Sequence, residues 1–170
     1  MSNEKKERLM EWLRDAHAME VQAEQMLKGQ AGRIQHYPQF KARVEQHVEE
    51  TRTQAGLLKG CIERLGGSTS SIKDIGGKLM AMAQTFSGVM VSDEIVKGML
   101  SGYTFEHMEI ASYKILIAAA EELDDYHTKE ACERILAEEV AMAQWLNDHF
   151  SQVTQEYLRR EAHPDGDAKR

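Results

Sequence analysis

The chain has 170 residues, 42% of them hydrophobic and 29% charged, which is enough apolar mass for one domain with its own core. Its net charge of −7 repels phosphate backbones and anionic lipid, and so argues against nucleic acid or a membrane surface as partner. The start, Met1 to Arg8, lacks the apolar stretch of a signal peptide, and the longest apolar run, Ile115 to Ala120, is too short to span a bilayer, so the expected compartment is the cytoplasm.

Only 2 prolines interrupt a composition rich in Met, Ala, Leu, Glu and Gln, which predicts helix throughout. A first helix is predicted from Asn3 to Lys28 or a little beyond, with the stripe Leu9, Leu13, Ala16, Glu20, Ala23, Leu27. Gly29 and Gly32 weaken it, and Pro38 ends what remains or opens the next helix. The second is predicted over Pro38–Leu65, with the stripe Val44, Val48, Thr51, Ala55, Leu58, Ile62, flanked by a row of His47, Glu50, Gln54, Leu57 and Cys61. Gly66-Gly67 stops it. A connection of more than twenty residues follows, and Asp74 to Gly88 within it has the spacing of a short crossover helix. Its methionines, Met80, Met82 and Met90, read as gap-filling core.

The third long helix is predicted from Ser92 or Asp93 to about Glu122, with the stripe Met99, Gly102, Glu106, Glu109, Tyr113, Leu116, Ala120. The fourth is predicted over His127–Phe150, with Cys132, Ile135, Glu139, Met142 and Leu146 in its seam. Ser151–Arg160 reads as a short last helix, and residues 161–170 as a mobile tail outside a single domain of residues 1–160. Cys61 and Cys132 lack metal-type spacing and read as buried reduced thiols.

Four glutamates organise this pattern. Glu20 and Glu50 are 30 positions apart, as are Glu109 and Glu139, and the second pair is the first displaced by 89. The midpoints, 35 and 124, fall in predicted turns, so each carboxylate lies about 22 Å down its helix from a turn, and two packed hairpins bring all four to one level. A carboxylate in a helix-bundle seam is costly unless neutralised, and oxygen ligands suit hard cations. One turn before Glu20 lies His17, one turn before Glu109 lies Glu106, and one turn before Glu50 lies His47. The candidate ligands are therefore Glu20, Glu50, Glu109 and Glu139, with Glu106, His17 and His47 as further donors. A dinuclear carboxylate site commonly adds a histidine three residues after the glutamate on the second and fourth helices. Here those positions are Thr53 and Met142.

Several stretches, among them His17-Ala-Met-Glu20, HVEETRTQ from His47, SGYTFEHMEIASY from Ser101 and AEEVAMAQWL from Ala137, resemble the bacterial YciE/YciF proteins, with YciE the closer. The resemblance spans roughly Glu11 to Leu158 and implies a ferritin-like four-helix bundle with one long crossover, homodimers and a link to stress responses. It supplies no reaction. YciF-like members carry a histidine where this chain has Arg52, which cannot ligate a metal.

Two functions of different class follow. One is a di-iron or di-manganese redox protein acting on dioxygen or peroxide, in which Tyr103 or Tyr113 relays an electron or simply packs. The other is a non-enzymatic dimeric stress or scaffold protein whose metal site is vestigial or structural.

Overall fold

Four long helices carry the chain through the residues that the computed structural model describes, 3–69, 91–163 and 167–169. They are α1 (Asn3–Arg33), α2 (Pro38–Arg64), α3 (Glu94–Glu122) and α4 (Tyr126–Glu161). The architecture is the all-α four-helix bundle expected from the spacing. Among the described residues no helix is long and apolar enough to cross a membrane.

Local chemistry sets the boundaries. Pro38 occupies the first turn of α2, where its missing N–H costs nothing. Gly66, at φ 82°, takes the left-handed conformation that closes α2. Asp125 caps α4, its carboxylate accepting from the Thr128 backbone N–H at 3.2 Å and from the Thr128 hydroxyl at 2.7 Å. Two boundaries differ from expectation. α1 runs through Gly29 and Gly32 to Arg33, because isolated helical glycines cost only about 1 kcal/mol each. The segment expected as a separate last helix, Ser151–Arg160, continues α4 without a break, since it contains neither Gly nor Pro. The expected crossover helix at Asp74–Gly88 and the methionines Met80, Met82 and Met90 lie outside the described residues.

The helices pair as two hairpins, α1 with α2 and α3 with α4, and the hairpins meet along α2–α4 and α1–α3. Ion pairs fix their relative direction. Arg33 at the end of α1 meets Glu94 at the start of α3, and Lys5 at the start of α1 meets Glu122 at the end of α3, both at 2.5 Å. Arg64 at the end of α2 meets Asp125 at the start of α4. The third helix therefore begins at the same end of the bundle as the second, as a long crossover requires.

The apolar interior is in two parts. One holds Leu9, Leu13, Leu58, Ile62, Leu116 and Ile135. The other holds Phe40, Val44, Ile95, Met99, Met142 and Leu146. Cys61 and Cys132 are buried free thiols in the first, and burial pushes the Cys132 thiol up to about 12. Residues 167–169, within the stretch expected as a tail, lie against the second: Ala168 is buried, and its carbonyl accepts from the Tyr37 hydroxyl at 2.7 Å. Between the two apolar parts, on all four helices, lies a layer of buried polar side chains.

Asp125 both caps α4 and ties it to α2. Asp125→Ala is expected to lower unfolding free energy by about 1–2 kcal/mol in urea titration, with the helical content of the folded state unchanged.

Candidate metal centre

Every helix contributes to the polar layer. α1 places Glu20 there, fully buried, with the Tyr113 hydroxyl of α3 donating to its Oε1. α2 places His47 and, one turn on, Glu50. α3 supplies Glu106 and Glu109, one turn apart and both buried, and α4 supplies the buried Glu139. His47, Glu106, Glu109 and Glu139 each present one ligand atom such that all four atoms lie within 4.8 Å of one another.

His47 is held from both sides. Its Nδ1 is 2.7 Å from Glu50 Oε2, and its Nε2 is 3.4 Å from both Glu106 Oε2 and Glu139 Oε2. Glu139 Oε1 accepts from Gln54 Nε2 at 2.5 Å, and Gln54 is itself fully buried on α2. Four carboxylate oxygens of the layer are buried without a hydrogen-bond partner: Glu20 Oε2, Glu106 Oε2, Glu109 Oε1 and Glu139 Oε2. Buried acceptors in such number are rare in a settled core, where nearly all polar atoms are paired.

Electrostatics shows what neutralises the layer in the protein alone. Burial, then the charge of Glu139, holds the Glu20 carboxyl well above the usual range. Burial, then Glu20 and Glu139, does the same to Glu109. Burial pushes Glu106 up to about 8, against the pull of His47. Burial opposes a charge on His47 and on Glu139, yet each secures the other. Contacts with Glu106, Glu139 and Glu50 raise His47 to about 12, and His47 with the carboxyls of Glu106 and Glu109 keeps Glu139 below its usual value. The layer thus consists of one imidazolium–carboxylate pair and carboxyls that retain their protons. Protons stand where a cation would.

The seven residues singled out from the sequence divide into three groups. His47, Glu106, Glu109 and Glu139 converge. Glu20 is buried in the same layer and interacts electrostatically with Glu106 and Glu139, but it lies outside the tight four-atom group. Glu50 and His17 are placed apart from it. Glu50 is partly exposed and bonds to Arg43 at 3.1 Å and Gln46 at 2.7 Å as well as to His47. His17 is buried with Nδ1 unpartnered, and burial and Lys59 lower its pKa. Arg52 is on the surface, bonded to Glu24 at 2.9 Å. Two supporting residues were not foreseen. Arg43 lies one turn before His47 and seven residues before Glu50, a spacing that puts it on the Glu50 face. Gln54 lies in the His47–Glu50 row, one turn beyond Glu50.

Residues 4–159 match the family model described as a domain of unknown function, DUF892. The chain belongs to the DUF892 family. A protein from Xanthomonas campestris whose crystal structure is known shares 41% identity with this DUF892 chain, over 95% of this chain and all of that one, at a TM-score of 0.80. A ferritin-like diiron-carboxylate protein from Bacillus anthracis shares the fold at 18% identity, over 88% of this chain and 99% of that one, at a TM-score of 0.70. The Escherichia coli stress protein YciF shares it at 20% identity, over 87% and 94%, at a TM-score of 0.69. These likenesses, at 18% and 20% identity, show the fold that the resemblance to the YciE/YciF proteins implies.

A hard cation fits this DUF892 layer by its donor set, which is carboxylate oxygen with one imidazole, and by the orphaned oxygens it would satisfy. The sign of the pH dependence follows from the proton-holding groups. A carboxyl whose folded pKa is raised loses stability as pH climbs from its unfolded value, near 4.5, through its folded value, about 8 for Glu106. His47, also raised, contributes fully below 6.5 and loses its contribution only as pH rises toward about 12. Metal-free protein is therefore expected to show a Tm that falls as pH rises from about 5 to 8. Glu106→Gln is expected to flatten that fall in scanning calorimetry.

Proposed function

We propose that the protein is a ferritin-like stress protein whose core glutamates bind two iron or manganese ions. Glu106, Glu109 and Glu139 with His47 would hold the metal, and Glu20, the remaining buried carboxylate of the layer, would complete the set. Glu50, bonded to His47 Nδ1, orients the ring so that Nε2 faces the carboxylates, the usual task of a partner behind a ligating histidine. Arg43 and Gln46 anchor Glu50 in turn. The observation that carries this reading is the convergence of His47, Glu106, Glu109 and Glu139, all buried, with one ligand atom of each within 4.8 Å of the others between two apolar clusters. A bound iron or manganese pair supplies one-electron redox equivalents for reaction with dioxygen or peroxide.

The chain's own residues prepare for such chemistry. Glu106 and Glu109 hold protons at neutral pH and release them when a cation replaces them. The apolar clusters cover the layer on the sides that face the two ends of the bundle. Tyr113, hydrogen-bonded to Glu20, is the aromatic group in direct contact with the layer, whereas Tyr103 packs edge-on against His107 and Phe150. A homodimer in the cytoplasm, with exposed Trp12 on a helix face, and a closer kinship to YciE than to YciF belong to the same proposal.

A second reading, a non-enzymatic dimeric scaffold with a structural metal, is favoured by two features: Glu50 is already paired with Arg43, and Thr53 and Met142 replace the histidines of a complete dinuclear site. Two measurements separate the possibilities. Added Mn²⁺ is expected to raise stability by about 2.7 kcal/mol at a hundredfold excess over Kd, with proton release on binding, and Glu109→Gln is expected to weaken binding at least tenfold. A melting curve indifferent to Fe²⁺, Mn²⁺ and Zn²⁺ would reject the metal site. Peroxide consumption by the reduced, metal-loaded protein no faster than by metal in buffer would leave the scaffold reading in place.

A further inference from the structure

A cavity of about 200 Å³ opens between α1 and α3, where the two hairpins meet, and reaches the carboxylate layer. Ala23 and Leu27 line it from α1, Gly98, Gly102 and Phe105 from α3, and its floor is Glu106 and Glu109. Gly98 and Gly102 are one turn apart inside a helix, where each gives up about 1 kcal/mol relative to alanine. Packing does not require them. A Cβ at Gly102 would meet only Leu146, at an ordinary 3.5 Å, and a Cβ at Gly98 would meet the movable end of the Gln30 side chain. At Gly98 the place of a Cβ is taken by the flexible Gln30 amide, so a larger residue there must displace it and enter the cavity.

A second observation points to an occupant. Glu106 and Glu109 are 2% and 1% exposed, yet Glu106 Oε2 and Glu109 Oε1 have no hydrogen-bond partner, and both residues border the cavity. An apolar cavity of about 150 Å³ admits a benzene ring. This one is somewhat larger and adds polar groups at one end, the composition of a small-molecule site.

We propose that the α1–α3 cavity binds a small, largely apolar organic molecule, about the size of one aromatic ring, whose hydroxyl group sits against Glu106 and Glu109. The inference goes beyond the metal reading and does not depend on a metal being bound. The apolar walls take the ring, and the hydroxyl pairs with the carboxyls of Glu106 and Glu109 where they border the cavity.

The test is a titration of the full chain with 4-fluorophenol, followed by ¹⁹F NMR, with and without added Mn²⁺. Saturable binding of one molecule per chain is expected, with fluorobenzene, which lacks the hydroxyl, binding at least fivefold more weakly. Gly98→Leu fills the cavity while improving helix propensity, and is expected to weaken binding at least tenfold with no loss of Tm. Gly60→Ala, at a site with no neighbour to meet, is the control and should bind as the parent does. Absence of saturable binding in both arms, or binding that Gly98→Leu leaves intact, would overturn the proposal. Failure to take up Mn²⁺ with 4-fluorophenol still bound would count against the metal centre alone.

Discussion

Charge confined to a dry layer is the constraint on which the bundle depends. Five ionisable side chains, His47, Glu20, Glu106, Glu109 and Glu139, are buried at one level. Three of the carboxyls avoid ionising by keeping protons, and the fourth ionises because His47 and the carboxyls of Glu106 and Glu109 support its charge. Replacing one of the three protonated carboxyls with an apolar residue of similar volume would relieve a desolvation cost, whereas replacing His47 or Glu139 alone would strand the other's charge in the core. The chain instead retains the whole set. That choice makes its fold sensitive to whatever carries positive charge into the layer, whether protons or a cation.

The rest of the architecture holds this layer in register. Within each hairpin, apolar contacts above and below fix the height of the glutamates. Between hairpins, ion pairs at both ends of the bundle set direction and alignment. The α1–α3 seam carries small side chains at Ala23, Gly98 and Gly102, and so it is left partly open. A bundle packed for stability alone would close that seam with larger residues.

Much of this organisation was legible in the amino-acid order, because helical periodicity is a strong signal in long elements. A spacing of 30 repeated at a displacement of 89 puts Glu20, Glu109 and Glu139 in apolar stripes, and all three are buried in one layer. Glu50 shares the repeat but sits at the edge of its stripe, and the structure gives it to Arg43, Gln46 and His47. Periodicity identifies a face of a helix; it does not tell which of two adjacent residues, His47 or Glu50, turns inward. Here His47 does. The continuity of α4 past Phe150 was missed for a related reason: polar residues without Gly or Pro do not end a helix when its other face is still covered, as Val153 and Tyr157 are. His17 matches Glu106 by displacement, but equivalent positions need not carry equivalent roles once the side chains differ.

The far end of α4 has a practical bearing on handling the protein. Beyond it, the Lys169 carbonyl accepts from the backbone N–H of Ile95 at 3.0 Å, and Ile95 lines the opening between α1 and α3. A polyhistidine tag joined directly after Lys169 would therefore be tethered beside that opening, offering imidazoles to any cation added to the protein. Fusion at Asn3's end places the tag at the opposite pole of the bundle, beside Glu122, and keeps metal stoichiometries free of that competition.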